Sequence, residues 1–379
     1  MKVFYLSSSA FSDNQINLLH HFPKEYEITY GVIIPSKNSN YSEKELAEYC
    51  NQYHIKLVPF PLKYRFRDPR LLHTYYKIIK TVKKVNPDVI FVANFDQLYL
   101  NILLLLLDKK RTIIAMHDVV NHSKTAFNRL TTLGKKVLIN RFEKFLTYSQ
   151  PQAKILKEIF NKKEVYCIPL PLIGFGELPE VKKKEGITFL FFGNILHYKG
   201  LDLLLEAVSH LGNKYHNFRL LIAGRCPNWE QQYEPLILNK NQVSAQIGFI
   251  ENHQIPSYFA EADYIVLPYR DTTQSGPLMI AYNYNVPILA SNASGFNEFF
   301  ESGTSGYMFD LNKPNDLDRL LEEAILRDPN DYLNLKKKQA EYTNAHFSMS
   351  KLVQSYQHMF DDVAEQGSGQ KIKYETSQG

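Results

Sequence analysis

At 379 residues, with 44% hydrophobic residues and a formal charge of +5, the chain is globular in composition and too long for one ordinary α/β core; two domains of roughly 150–180 residues each are expected. Its three cysteines, Cys50, Cys167 and Cys226, are odd in number and lack C-x-x-C spacing, which argues against a disulfide framework or a zinc site and for a reducing cytoplasm. The longest apolar run, Leu98 to Leu107, is about half the length of a bilayer span, and the first residues lack a signal-peptide pattern, so a cytoplasmic protein is expected.

In chain order, apolar runs at Lys2–Ser7, Glu27–Ile34, Lys56–Pro59, Val89–Ala93, Thr112–Met116, Phe145–Tyr148 and Val165–Ile168 alternate with helix-sized stretches. That alternation predicts crossover units around a parallel sheet. Pro169 to Gly186, rich in Pro, Gly and charge, reads as a hinge-bearing linker that separates a domain at 1–174 from one at 175–349. The second domain repeats the pattern at Thr188–Phe192, Arg219–Ala223, Ala245–Phe249, Tyr264–Leu267, Pro287–Ala290 and Tyr307–Phe309. Leu352, Val353, Tyr356, Met359, Phe360 and Val363 at helical spacing predict a helix over 350–365. The tail 366–379 has no apolar periodicity and is expected to be disordered.

Tyr264 to Ser291 carries the most information, because strand, polar turn, helix and strand follow one another at once. A helix that begins after Ser275-Gly276 aims free N–H groups and its positive dipole end at whatever fills the turn, an arrangement that suits phosphate. Thr188 to Val208 holds a buried strand ending at Gly193, a loop with Lys199-Gly200, and a helix with Leu201, Leu204, Leu205 and Val208 on one face. Ligands of open α/β sheets lie beyond the carboxyl ends of the strands, so Lys199 and the Ser275-Gly276 turn are expected to face one crevice and one diphosphate.

Several segments in order now carry a resemblance: Gly193 with Lys199-Gly200-Leu-Asp, Ile222-Ala-Gly224, Gly248-Phe-Ile250, Ile255 to Asp263, Thr273-Gln-Ser-Gly276, Val286 to Ser291 and Ser294-Gly-Phe-Asn-Glu298. Over about half the chain they resemble the nucleotide-sugar domain of retaining glycosyltransferases of family 4. The resemblance implies a GT-B fold: two doubly wound Rossmann-like domains, an interdomain cleft and a final helix that crosses back to the first domain. It implies a donor site of Gly193, Asn194, Lys199, Arg225, Ile250, Tyr269, Thr273, Gln274, Ser275, Gly276 and Glu298. Lys199 would hold the donor diphosphate, and His117, in Ala115-Met-His-Asp118, would face the transferred sugar.

Three positions depart from the family pattern. Asn194 stands where members usually carry arginine, so one diphosphate-neutralising charge is either missing or supplied from elsewhere, with Arg225 and Arg270 as the candidates. The family's paired glutamates align on Thr272 and Ile280, giving a Thr-Gln-Ser-Gly variant of the turn. The implied activity is metal-independent, retaining transfer from a nucleotide-diphosphate sugar, UDP favoured over GDP, to a hydroxyl of a growing cell-surface glycan. A nucleotide-sugar 2-epimerase of the same architecture and a catalytically silent homologue are the alternatives.

No cofactor or metal is expected. Asp316-Leu-Asp318 has the D-x-D spelling of a metal site but opens a charged helix, and Asp361-Asp362 reads as a solvated helix end. Basic residues crowd Lys63 to Lys84 among aromatics, and again at Lys124, Arg129, Lys135, Lys136, Arg141 and Lys144. Such a face suits an anionic membrane, where a lipid-linked acceptor would be reached from the inner side, and equally suits a solvated helix. No motif accompanies the charge that would indicate nucleic acid.

Overall fold

The computed structural model describes residues 1–9, 15–36, 39–65, 68–93, 97–119, 126–182 and 185–368, without the side chains of 126–131 and 368. Two compact units result, one of Met1–Pro171 with Met349–Gly379 and the other of Leu172–Ser348. Each is built on a parallel sheet.

In the first unit β1 (Lys2–Ser8), β2 (Glu27–Ile34), β3 (Lys56–Pro61), β4 (Val89–Ala93), β5 (Thr112–Met116), β6 (Lys144–Thr147) and β7 (Glu164–Cys167) lie in the order β3-β2-β1-β4-β5-β6-β7. Every residue of β4, β5 and β6 is buried, as expected of strands covered on both faces. One cover is the helix Leu71–Val85, which buries Leu71, Tyr75, Ile78, Ile79 and Val82 and ends at Asn86 in the left-handed region. The helix Met349–Ser368 is another. Tyr356, Met359, Phe360 and Val363 are fully buried, each worth about 1.5–3 kcal/mol of apolar burial, with Tyr356 and Phe360 against Phe91.

That helix runs past the expected end at 365, so Asp361 and Asp362 are not a solvated terminus. They accept hydrogen bonds from the Tyr26 hydroxyl at 3.1 Å and the Tyr166 hydroxyl at 3.3 Å, which tie the helix to its unit. The tail from 369 lies outside the described residues.

The second unit orders β8 (Ile187–Phe192), β9 (Phe218–Gly224), β10 (Val243–Ile247), β11 (Tyr264–Leu267), β12 (Ile288–Ser291) and β13 (Gly306–Phe309) as β10-β9-β8-β11-β12-β13. One face of β8, β9 and β11 packs Phe189, Phe191, Leu220, Ile222 and Val266 against Leu204, Leu205, Val208, Leu320 and Leu321. The unit begins at Leu172, three residues before the expected boundary. Ile173 N–H donates to Met279 O at 3.5 Å and Phe175 N–H to the Tyr284 hydroxyl at 2.8 Å, which fastens this segment to the helix Gly276–Asn283.

In both sheets the strand order reverses once, between β1 and β4 and between β8 and β11. Such switch points open a crevice at the carboxyl ends of the flanking strands. Among the described residues no helix is long and apolar enough to cross a membrane.

Candidate functional site

The second unit's switch point gathers the residues singled out in the sequence. After β8 the chain turns at Gly193 (φ 103°), and Ile195 N–H bonds Arg225 O at 2.8 Å, which holds this loop to the end of β9. One 3₁₀ turn, His197–Lys199, follows and ends at Gly200 in the left-handed region (φ 67°), which leads directly into the helix Leu201–Gly212. A Cβ on Gly200 would lie 2.0 Å from Pro268 O, so only glycine lets the loops after β8 and β11 touch. Arg270 N–H to Tyr198 O at 2.7 Å closes the same contact. Gly200→Ala is expected to destabilise this unit by about 1–3 kcal/mol through strain and to weaken ligand binding with it, measurable by denaturant melts.

Lys199 is thereby pressed inward. It is 7% exposed, and its ammonium lies 5.2 Å from the centre of the buried Tyr269 ring. Burial pulls its pKa below the usual lysine range, and no carboxylate pairs with it among the described residues. Arg270, one of the two candidate sources of the missing positive charge, is engaged elsewhere. Its guanidinium donates two bonds to Asp202, at 2.8 and 2.6 Å, and a third to His197 O at 3.0 Å, so it braces the loop.

After β11, Thr272 Oγ1 donates to Gln274 O at 2.8 Å and shapes the turn. Ser275 caps the helix Gly276–Asn283 by accepting from Leu278 N–H at 3.3 Å. Pro277 has no N–H to offer, which leaves the Gly276 amide as the first donor of the helix. The ammonium and this helix start share one neighbourhood: a Cβ built on Gly193 would sit 3.3 Å from Lys199 Nζ and 3.4 Å from Pro277 Cγ. The two groups expected at one diphosphate thus both lie beside Gly193.

Other expected members lie around that centre. A Cβ on Gly295 would come 2.1 Å from Thr272 O, so the turn Ser294–Phe296 rests on the Thr272–Thr273 backbone and sets the half-buried Glu298 beyond it. Thr273 and Gln274 are half-buried, and Asn194 is exposed. Arg225 and the buried Ile250 follow β9 and β10. The guanidinium of Arg225 lies 4.3 Å over the ring of Phe249, a residue the sequence reading assigned to the strand. It stands outside β10 and is 40% exposed; its apolar spelling disguised a platform residue.

His117 belongs to the first unit, half-buried at the carboxyl end of β5, with its ring against Tyr148. A cavity of ≈ 700 Å³ in the second unit, lined by Arg219, Gln246, Tyr258 and Glu261 among others, includes none of the predicted residues.

Three of the six cations in the second basic stretch are structural, while Lys136 is exposed. Lys135 donates to Asp118 O at 2.8 Å, Arg141 to Leu105 O and Leu107 O, and Lys144 to Lys110 O at 3.2 Å, so these cations close chain ends and do not form an outward face. The side chains of Lys124 and Arg129 lie outside the described residues. In Asp316-Leu-Asp318, Asp316 accepts from Asp310 N–H at 2.9 Å and pairs with Arg319, whose guanidinium holds its carboxyl well below the usual range; Asp318 pairs with His210 at 2.7 Å. Among the described residues no cluster of His, Cys, Asp or Glu could hold a metal ion.

Comparisons with known proteins agree with this architecture. Residues 178–344 match the sequence model of the family described as Glycosyl transferases group 1. An uncharacterized 41.2 kDa protein of the cps region of Klebsiella pneumoniae is 25% identical over 204 residues, 52% of this chain and 54% of that protein. The 2-deoxystreptamine N-acetyl-D-glucosaminyltransferase of Niallia circulans is 28% identical over 138 residues, 36% of this chain and 35% of its own. The alignments thus span about half or less of the curated relatives' length. Among solved structures, the sucrose-phosphate synthase of Thermosynechococcus elongatus superposes with a TM-score of 0.71 at 14% identity, covering 96% of this chain and 99% of its own. Anabaena HepE in complex with UDP-glucose gives 0.68 at 14% identity, over 96% and 100% of the two chains. The chain has the two-domain α/β fold of the GT-B glycosyltransferases, and its second unit carries the segment that matches group 1 of those enzymes.

Proposed function

We propose that the protein is a retaining glycosyltransferase that moves a sugar from a nucleotide-diphosphate donor, UDP-linked by preference, to a hydroxyl of a growing cell-surface glycan. One observation carries this reading: a buried ammonium, Lys199, with no carboxylate partner among the described residues, beside the amide end of a helix at the switch point of a parallel sheet. A cation held this way favours an anionic ligand, since a diphosphate restores the pairing that burial removed. The group 1 match over the same unit, the relative encoded in a cps region and the UDP-glucose complex of HepE all support the choice of ligand and product class.

Cleavage of the anomeric C–O bond leaves negative charge on the β-phosphate. Lys199 and the Gly276 amide stabilise it more in the transition state than in the bound donor. No carboxylate nucleophile is assigned: Thr272 and Ile280 stand where the resembling family has glutamates, and Thr272 is already bonded within its own turn. The acceptor hydroxyl attacks from the face the nucleotide leaves, a donor phosphate oxygen takes its proton, and anomeric configuration is kept. His117 orients the sugar or the acceptor. Thr273, Gln274 and Glu298 contact the sugar, and Arg225, Phe249 and Ile250 the nucleoside.

Thermal shifts against nucleoside diphosphates and their sugars test donor binding, because a ligand bound by the native state raises apparent stability. NMR of the product then reads its anomeric configuration. An inverted product ends the retaining claim, and epimerised donor formed without acceptor replaces transfer by 2-epimerisation. The bare Thr272 and Ile280 positions favour one other reading, a silent homologue, for which donor binds and no sugar moves under any acceptor.

A peripheral place on an anionic membrane, with a lipid-linked acceptor, extends the proposal. Its support is the exposed face of the helix Leu71–Val85, where Lys77, Lys80, Lys83 and Lys84 accompany Leu72 and Tyr76. Flotation with phosphatidylglycerol liposomes is expected to carry the protein up, and charge reversal at Lys77, Lys80 and Lys84 to leave it behind; indifference to lipid charge makes this an ordinary solvated face.

A further inference from the structure

β5 and β6 pair with Met116 opposite Thr147, and one step further along both chains stand His117 and Tyr148. Their rings meet with centroids 4.6 Å apart and planes 32° from each other. Tyr148 is fully buried, and its hydroxyl accepts a hydrogen bond from Gln15 Nε2 at 3.4 Å. Gln15 is itself fully buried and accepts on Oε1 from the Tyr5 hydroxyl. Tyr5 is wedged between Phe91 at 4.5 Å and Tyr30 at 6.1 Å, and the Tyr30 hydroxyl shares a 2.9 Å bond with Ser7. From the C-terminal helix, the Tyr356 hydroxyl comes close to those of Tyr5 and Tyr148 without a well-formed bond to either.

So many polar groups at zero exposure are unusual in a parallel-sheet core, and a buried network of this kind fixes geometry. Burial pushes the pKa values of Tyr5, Tyr148 and Tyr356 up. Their hydroxyls therefore stay protonated at any working pH and serve as fixed posts, not as a tyrosinate relay.

We propose that Tyr148 is the positioning residue for His117: its ring sets the plane of the imidazole, and Gln15 pins the ring. The inference rests on the role given to His117 in sugar transfer. A histidine side chain turns about two torsions, and a flat surface held from below narrows the range of planes its ring can take. Phenylalanine at 148 keeps the surface and loses the pin; leucine loses both.

The test uses full-length protein with histidine labelled at ¹³Cε1, the His117 signal being assigned by its loss in His117→Gln. In the wild-type protein, the His117 Hε1 proton is expected upfield of the other histidines, with cross-relaxation to the Tyr148 ring protons. Tyr148→Phe keeps the upfield shift and lowers kcat only a few-fold. Tyr148→Leu loses the shift and lowers kcat by about tenfold or more, with the donor KM unchanged and Tyr148→Trp restoring part of both. Absence of cross-relaxation in the wild-type protein overturns the proposal, and that measurement stands even if the leucine variant does not fold. Equal loss of kcat in the phenylalanine and leucine variants also overturns it. Full transfer by His117→Ala is a separate outcome: it removes the histidine from the reaction, while the ring contact is still judged by its own signal.

Discussion

Replacing Lys199 with methionine is expected to make the free protein more stable and to weaken its hold on nucleoside diphosphates by roughly 10- to 100-fold, the worth of one charge-assisted hydrogen bond in a buried setting. Methionine fills nearly the same volume against Tyr269, so packing survives while the desolvated charge goes. Removing such a charge raises stability by about 0.5–2 kcal/mol, or roughly 2–4 °C in Tm per kcal/mol for a unit of this size. Opposite signs for stability and affinity are the mark of a functional cation. A structural lysine would lose stability on substitution and leave affinity alone, and differential scanning with titration calorimetry separates the two.

The pH dependence follows from the same burial. Lys199 has its pKa lowered in the folded protein and an ordinary one when unfolded. Its cost to stability is therefore fully present below the folded value and is relieved as pH rises from the folded towards the unfolded pKa. A bound diphosphate favours the ammonium and raises that pKa again. Affinity should accordingly fall as pH climbs through the free-protein value, and binding near it should take up protons, read from calorimetry in buffers of different ionisation enthalpy. Lys199→Met should abolish both.

Much of this was readable in the sequence because two strong rules apply. The thirteen strands of the described residues were all expected from apolar runs, and the limits of Glu27–Ile34, Val89–Ala93, Thr112–Met116 and Tyr264–Leu267 coincide with the observed ones, since the mostly buried strands stand out as apolar runs against polar flanks. Lys199 and the Ser275-Gly276 turn could be paired because they follow β8 and β11, neighbours across a strand-order reversal. What sequence could not supply was who neutralises whom. Arg270 looks as available as Lys199 on paper, yet Asp202, in the first turn of the helix Leu201–Gly212, accepts from both of its terminal nitrogens. Lys135, Arg141 and Lys144 looked like a surface and turned out to be ties to carbonyls, a choice set by chain ends that meet only in three dimensions. Tyr148 read as the end of a strand, and nothing in its spelling announces the buried partners Gln15 and Tyr356 from distant segments.

His117→Ala is expected to lower kcat for transfer by about 10²-fold, the usual cost of losing orientation at a reacting centre, while the affinity for donor stays as it is. The separation follows from where the groups reside. Lys199, Ser275 and Gly276 are all in the unit Leu172–Ser348, whereas His117 ends β5 in the other. Truncating a half-buried ring at a strand end leaves the fully buried Ile113, Ile114, Ala115 and Met116 in place, so the sheet should survive. Titration with UDP reports the donor side alone, and initial rates with a saturating UDP-sugar report the step in which His117 acts. Loss of both in equal measure would make His117 a structural residue. A fall in rate at constant affinity would locate its contribution in the transition state, because an interaction made equally before and during bond cleavage alters KM and not kcat.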